Sequence, residues 1–305
     1  MDAALDMALL FRVVILAIIQ GIAEFLPISS SGHLLVLGHL FEMPDNFTLM
    51  ILLHLGTLFA VLVFFRKEIL AIFTYRKRAL GLIIVGSIPT AIIGLVLQKL
   101  FPQLETSRLM TGVGFLLTGT ILITIMRRHS RTESEEYYEK IAYEEEGYDG
   151  PVTKSVEETT WLDAIFIGIV QGLAVLPGLS RSGSTISAGV LRRLNNQWAA
   201  EFSFFLSIPV IAGAAALEIY NKFQEVGKEN IGSLFQLDSL FTVYLFGAFI
   251  SFIVGYIALF SLMQLLKAGK LHYFAVWLFI VGTATIAWTG YDHWDQIVEF
   301  VNQWR

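Results

Sequence analysis

The sequence contains no cysteine, which excludes disulfide frameworks, thiolate metal sites and a cysteine nucleophile. Charge is scarce too: Asp, Glu, Lys and Arg make up 15% of the 305 residues, against about 25% in ordinary soluble domains. With 55% apolar residues and a mean hydropathy of +0.65, the composition excludes a soluble globular protein. It points instead to one all-α polytopic membrane domain covering residues 1–305. The net charge of -5 is local in origin, because residues 128–160 hold ten acids against four Lys/Arg and leave the rest of the chain near neutrality. No basic patch remains for a nucleic acid. The N-terminus, MDAALDMALLFRVV, has two Asp before its apolar run and no A-x-A pattern, so the first hydrophobic segment is expected to be retained.

A bilayer core of about 30 Å requires roughly 20 apolar residues per helix. Six stretches meet this: 47–65, 79–99, 109–126, 198–219, 241–266 and 272–290. Two further apolar segments, 7–42 and 161–191, are broken by FLPISSSGH and LPGLSRSG. Irregular backbone at membrane depth survives only against protein or a wet cavity, so both segments read as re-entrant helix hairpins. Positive charge at Arg66, Lys67, Arg76–Arg78, Arg127, Arg128, Arg131, Arg192, Arg193, Lys267 and Lys270 assigns those loops to the cytoplasm. Both termini then fall outside, and the acidic 128–160 stretch becomes a cytoplasmic connector between halves.

The two broken segments resemble each other at an offset of 151. Gln20, Gly21 and Ala23 match Gln171, Gly172 and Ala174, and Ser29, Ser31 and Gly32 match Ser180, Ser182 and Gly183. Repeat 1 (about 7–127) and repeat 2 (about 161–290) each contain a hairpin plus three spans. An odd number of spans inverts the second copy, so the two tips are expected to meet near the midplane with helix N-termini aimed at an anionic group. Small-residue packing between helices accounts for Gly112, Gly114 and Gly119, but not for the Ser-Arg-Ser-Gly run.

Ionisable groups at membrane depth usually face a cavity and mark function. Arg181 has the planar fork that clamps phosphate or carboxylate. Glu24 shares a helix face with Gln20 and suits three roles: oxygen ligand for Mg²⁺ or Ca²⁺, general base, or structural partner of Arg181. Ser29, Ser30, Ser31 and Gly32 form an anion cradle beside His33. Ser180, Ser182 and Gly183 form the matching cradle beside Arg181, with Ser184 and Thr185 either adding hydroxyls or bonding back to their own helix. His54 reads as a packed helix residue whose loss is tolerated. His39, His129, His272 and His293 receive no role.

At these residues the chain resembles the undecaprenyl-diphosphate phosphatase family, the bacitracin-resistance type of integral membrane phosphatase. The resemblance rests on Gln20-x-x-x-Glu24, on the run FLPISSSGHL that follows, and on PGLSRSGSTIS at 177–187. It implies hydrolysis of a polyprenyl diphosphate to the monophosphate and inorganic phosphate, recycling the lipid carrier of cell-envelope glycan synthesis. It also implies a divalent cation, a multi-pass location in the plasma membrane and a site facing outside. By motif position, Glu24 is the metal-associated acid, Ser30 and His33 are the catalytic pair, and Arg181 binds phosphate. The spacing leaves open whether His33 attacks phosphorus directly or activates Ser30 or water, with His33 favoured as the nucleophile. Gln20 departs from the commoner Glu and cannot serve as an anionic ligand. A second copy of the chain is a candidate partner. The competing class is a secondary transporter or lipid flippase, which shares inverted repeats with broken helices but needs no proton handler. A phosphatidate-type phosphatase is disfavoured because the sequence has no Arg-Pro dipeptide.

Overall fold

The computed structural model describes residues 3–41, 43, 47–126, 153–226 and 239–292. Most of the acidic connector, part of the 220–239 loop, His129 and His293 therefore lie outside the described residues. The described chain is helical and reads as a polytopic membrane protein. In the first half, α1 (Ala3–Phe25), α2 (Ser30–Leu40), α3 (Phe47–Phe64), α4 (Arg66–Thr74), α5 (Lys77–Leu100), the single turn α6 (Pro102–Glu105) and α7 (Arg108–Ile121) follow in order, and α7 ends in a π-helical turn, Leu122–Met126. The second half holds α8 (Trp161–Leu173), α9 (Arg181–Leu191), α10 (Asn196–Val226), α11 (Ser239–Lys267) and α12 (Phe274–Asp292).

Six helices are long and apolar enough to cross a bilayer: Met7–Phe25, Lys77–Leu100, Arg108–Ile125, Asn196–Leu217, Leu240–Lys267 and Leu271–Asp292. Five coincide with stretches expected from hydropathy. The stretch expected at 47–65 instead forms one arm of a bent pair, Thr48–Phe64 with Arg66–Thr74, kinked by 69°. The first arm of hairpin 1 is also longer than a re-entrant arm requires. Nothing in residues 3–25 breaks a helix, and the Pro-Ile-Ser cluster begins only at Pro27, so α1 runs 23 residues. Its counterpart α8 runs 13, because Thr160 and Asp163 close a reciprocal capping box that fixes its start at Trp161.

The halves interlock. The hairpin arm α1 packs on α11 and the arm α8 packs on α5, while α3 packs on α11 and α10 on α5. Two further pairs, α3 with α10 and α7 with α12, also join the halves. Close approach makes these contacts tight: a Cβ on Gly168 of α8 would lie 2.0 Å from the Gly86 carbonyl oxygen of α5, and the Thr90 hydroxyl donates to Gly168 O at 2.8 Å across the same contact. Gly112 and Gly119 likewise face α12. Gly114 does not serve helix packing as the sequence suggested; a Cβ there would meet Pro177 O at 2.4 Å, so it seats the second hairpin's tip.

A cluster of ion pairs fixes the base of hairpin 2. The fully buried Asp163 carboxylate accepts from Lys154 Nζ at 2.7 Å and from Arg192 Nε at 2.6 Å. Arg192 is the C-cap of α9, so the first turn of α8 is tied to the last turn of α9.

Candidate active site

Helices α2 and α9 begin at Ser30 and Arg181 and are both 11 residues long, matching at the offset of 151. Each is capped by a serine: Ser29 Oγ accepts from Gly32 N at 3.3 Å and Ser180 Oγ from Gly183 N at 3.1 Å. Short polar side chains at these positions satisfy one of the free N–H groups that every helix start leaves. The two tips touch. Ser182 Oγ donates to Leu26 O at 3.3 Å, and a Cβ on Gly32 would lie 2.8 Å from Gly178 Cα. Gly178 itself has φ +83°, and a Cβ there would come within 2.0 Å of Thr111 O. Thr118 locks the second tip from α7, donating to Gly178 O and accepting from Ser180 N at 2.9 Å.

Glu24 is the hub between the tips. Its Oε2 accepts from Ser30 Oγ at 2.6 Å and from Gln20 Nε2 at 3.1 Å, and its Oε1 accepts a short hydrogen bond from Arg181 Nη2. Gln20 is fully buried and Glu24 is 7% exposed, so the carboxylate is compensated by neighbours and not by bulk water. The guanidinium has capacity left: Arg181 Nη1 is buried and has no partner. A cavity of about 30 Å³ opens here, lined by Glu24, Ser29, Ser30, Ser31, Ser180 and Arg181 among others. Two helix N-termini, the Arg181 side chain and several hydroxyls thus surround one small polar space, an arrangement suited to an anionic oxygen group.

The structure separates the two imidazoles in an unexpected way. His33 does not line this cavity. Its Nδ1 donates to Ser29 O at 2.8 Å and its Nε2 accepts from Trp277 Nε1 at 3.0 Å, which leaves neither nitrogen open to a phosphorus atom. His54, given no role from the sequence, comes within 3.9 Å of Glu24 Oε2 through Nε2, while its Nδ1 donates to Met50 O at 2.8 Å. The signal was present as an ionisable residue inside the apolar run FTLMILLHLGTLFAVLVF. Thr57 on the same helix also belongs to the surroundings of the site, accepting from Gln20 at 3.4 Å. Neither Ser184 nor Thr185 lines the cavity; the Thr185 hydroxyl bonds to Ser203 and to Arg181 O.

Among the described residues, no group of three or more His, Cys, Asp or Glu could cage a metal ion. The donor set still fits a hard divalent cation of the kind that binds through one carboxylate and completes its shell with water and phosphate oxygens. Glu24 supplies the carboxylate, and the buried Gln20 Oε1 beside it has no partner.

Fold and site together define an integral membrane protein in which two serine-capped helix ends meet at one small polar cavity. The family model described as Bacitracin resistance protein BacA matches residues 13–284. The chain belongs to that family. An undecaprenyl-diphosphatase from Carboxydothermus hydrogenoformans is 39% identical over 278 residues, covering 90% of this chain and 96% of that protein. Undecaprenyl-diphosphatases from Rhodopirellula baltica and Alkaliphilus metalliredigens are 38% and 36% identical, each covering 97% of the relative and 91% and 90% of this chain.

Proposed function

We infer that this protein is an undecaprenyl-diphosphatase: it hydrolyses the terminal phosphoric anhydride of undecaprenyl diphosphate, giving the monophosphate and inorganic phosphate. Family membership and near-full-length relatives that carry this name support the reaction, and they count against the transporter or flippase reading. The two halves are read as an inverted repeat lying in the plasma membrane with the site facing outside, a placement motivated by the distribution of Lys and Arg.

The roles follow from one observation, the 2.6 Å hydrogen bond from Ser30 Oγ to Glu24 Oε2. In this mechanism Arg181 Nη1 binds the oxygens of the terminal phosphoryl group and orients it in the cavity. Glu24 accepts the Ser30 proton as Oγ attacks the terminal phosphorus. The bond from that phosphorus to the bridging oxygen breaks, and undecaprenyl phosphate leaves carrying the electron pair. Water then attacks phosphoserine, releasing phosphate and restoring the hydroxyl. His33 keeps the turn in shape and Ser30 is the nucleophile, the reverse of the assignment expected from the motif. Ser29, Ser31 and Ser180 line the space around the phosphoryl group. A divalent cation held by Glu24 and Gln20 Oε1 would neutralise charge on the diphosphate. The test is phosphate release from undecaprenyl diphosphate by purified protein in detergent, where hydrolysis persists and vectorial transport cannot. Wild type is expected to turn over and Ser30→Ala to lose at least about two powers of ten; a Ser30→Ala protein with near-normal turnover refutes the nucleophile.

A further inference from the structure

The turn that presents Ser30 is strained, and the groups that hold it can be followed outward. Ser29 has φ 70° and ψ 101°, a left-handed conformation that non-glycine residues adopt at a cost of order 1–3 kcal/mol and keep only where their surroundings enforce it. Its side chain is committed to Gly32 N and Ser31 Oγ. Its carbonyl accepts twice from one residue, from His33 N at 3.2 Å and from His33 Nδ1 at 2.8 Å. A carbonyl oxygen can only accept, so the ring proton sits on Nδ1 and the Nε2 lone pair faces outward. That lone pair receives the Trp277 indole N–H at 3.0 Å. The two rings lie nearly parallel, 10° apart with centroids at 6.0 Å, and Phe115 closes on His33 edge-on at 4.9 Å. Trp277 belongs to α12, 244 residues from His33 in sequence, and is 48% exposed on the outer surface of the helix bundle.

We propose that Trp277 is a positioning residue for the reaction: its indole N–H fixes the His33 tautomer, His33 holds the strained Ser29 carbonyl, and that turn holds the Ser30 hydroxyl on Glu24. The proposal rests on the reading that Ser30 and Glu24 carry the chemistry. An indole is suited to the task because it only donates, so it pairs with the Nδ1–H tautomer and selects against the other, in which Nε2–H would oppose its own N–H.

Trp277→Phe removes the donor and keeps an aromatic ring beside His33. Because Trp277 is half exposed, the variant is expected to fold with an unchanged melting temperature to within a few degrees. Turnover of undecaprenyl diphosphate in detergent should fall about five- to tenfold in kcat with KM within twofold. The ¹⁵N signals of His33, assigned by their loss in His33→Gln, should move from a pure Nδ1–H tautomer toward a mixture. In the His33→Gln background, adding Trp277→Phe should change kcat no further, since both substitutions cut one chain of contacts. Full kcat in Trp277→Phe, an unchanged tautomer, or losses that multiply in the double variant each overturn the proposal. Ser30→Ala separates the two readings. If it stays active, the reading of the site fails; if it is inactive while Trp277→Phe retains full activity, only the role of Trp277 is withdrawn.

Discussion

Replacing Arg181 with Lys keeps a positive charge and tests whether the geometry of the guanidinium matters. In the structure Arg181 does two things at once: Nη2 holds Glu24 Oε1, and the buried Nη1 is left free for an incoming oxygen. A lysine has one nitrogen at the end of a flexible stem. It can pair with Glu24 or reach the phosphoryl group, and in either case one charge-assisted hydrogen bond is lost. Such a bond contributes about 1.5–3 kcal/mol, and each 1.4 kcal/mol is tenfold in rate, so Arg181→Lys should reduce kcat/KM by roughly 10- to 100-fold. Arg181→Ala removes both bonds and leaves a 7%-exposed carboxylate without its cation, so a loss beyond about two powers of ten is expected, and some loss of stability with it. The assay is release of inorganic phosphate from undecaprenyl diphosphate in detergent, with the melting temperature measured in parallel. An Arg181→Lys protein that folds and keeps kcat/KM within threefold of wild type would refute the two-handed role of the guanidinium.

Two further outcomes follow from particular contacts. His54→Ala, which the sequence alone expects to be silent, should lower kcat by up to about fivefold, because the imidazole lies 3.9 Å from Glu24 Oε2 and a partly exposed pairing of this kind contributes about 0.2–1 kcal/mol; unchanged turnover would return His54 to a packing role. Gly178→Ala, at φ +83° with Thr111 O in the way of any Cβ, should destabilise the protein by about 1–3 kcal/mol. Gly38→Ala on α2, where a Cβ meets nothing within 4 Å, should be neutral or stabilising by up to about 1 kcal/mol. Thermal unfolding in detergent compares the pair, and equal behaviour would contradict the packing of the second tip against α7.

Much was legible from the chain alone because membrane insertion leaves a coarse, local signature. Runs of about 20 apolar residues are either present or absent, and the breaks at FLPISSSGH and LPGLSRSG place polar backbone where a bilayer cannot solvate it. The 151-residue offset paired Ser29 with Ser180, and in the structure these two serines cap the helices that begin at Ser30 and Arg181, since serine caps and the glycines after them are local backbone chemistry. The same reasoning singled out Glu24 and Arg181, because charge inside an apolar run is costly wherever the fold puts it.

What no local pattern carries is direction and neighbourhood. The sequence singled out His33, three residues from Ser30, and gave His54 only a packing role. Tertiary packing brings Trp277 from the far end of the chain to occupy the one ring nitrogen of His33 left free, and turns His54 of α3 toward Glu24. The bend of 69° after Phe64 likewise has no mark in the hydropathy of the run. Hydropathy and caps are properties of a segment and survive in any fold that buries it. Which nitrogen is free, which hydroxyl meets a carboxylate and which guanidinium edge stays open depend on pairings between residues up to 244 positions apart, and these exist only once the two halves have interlocked.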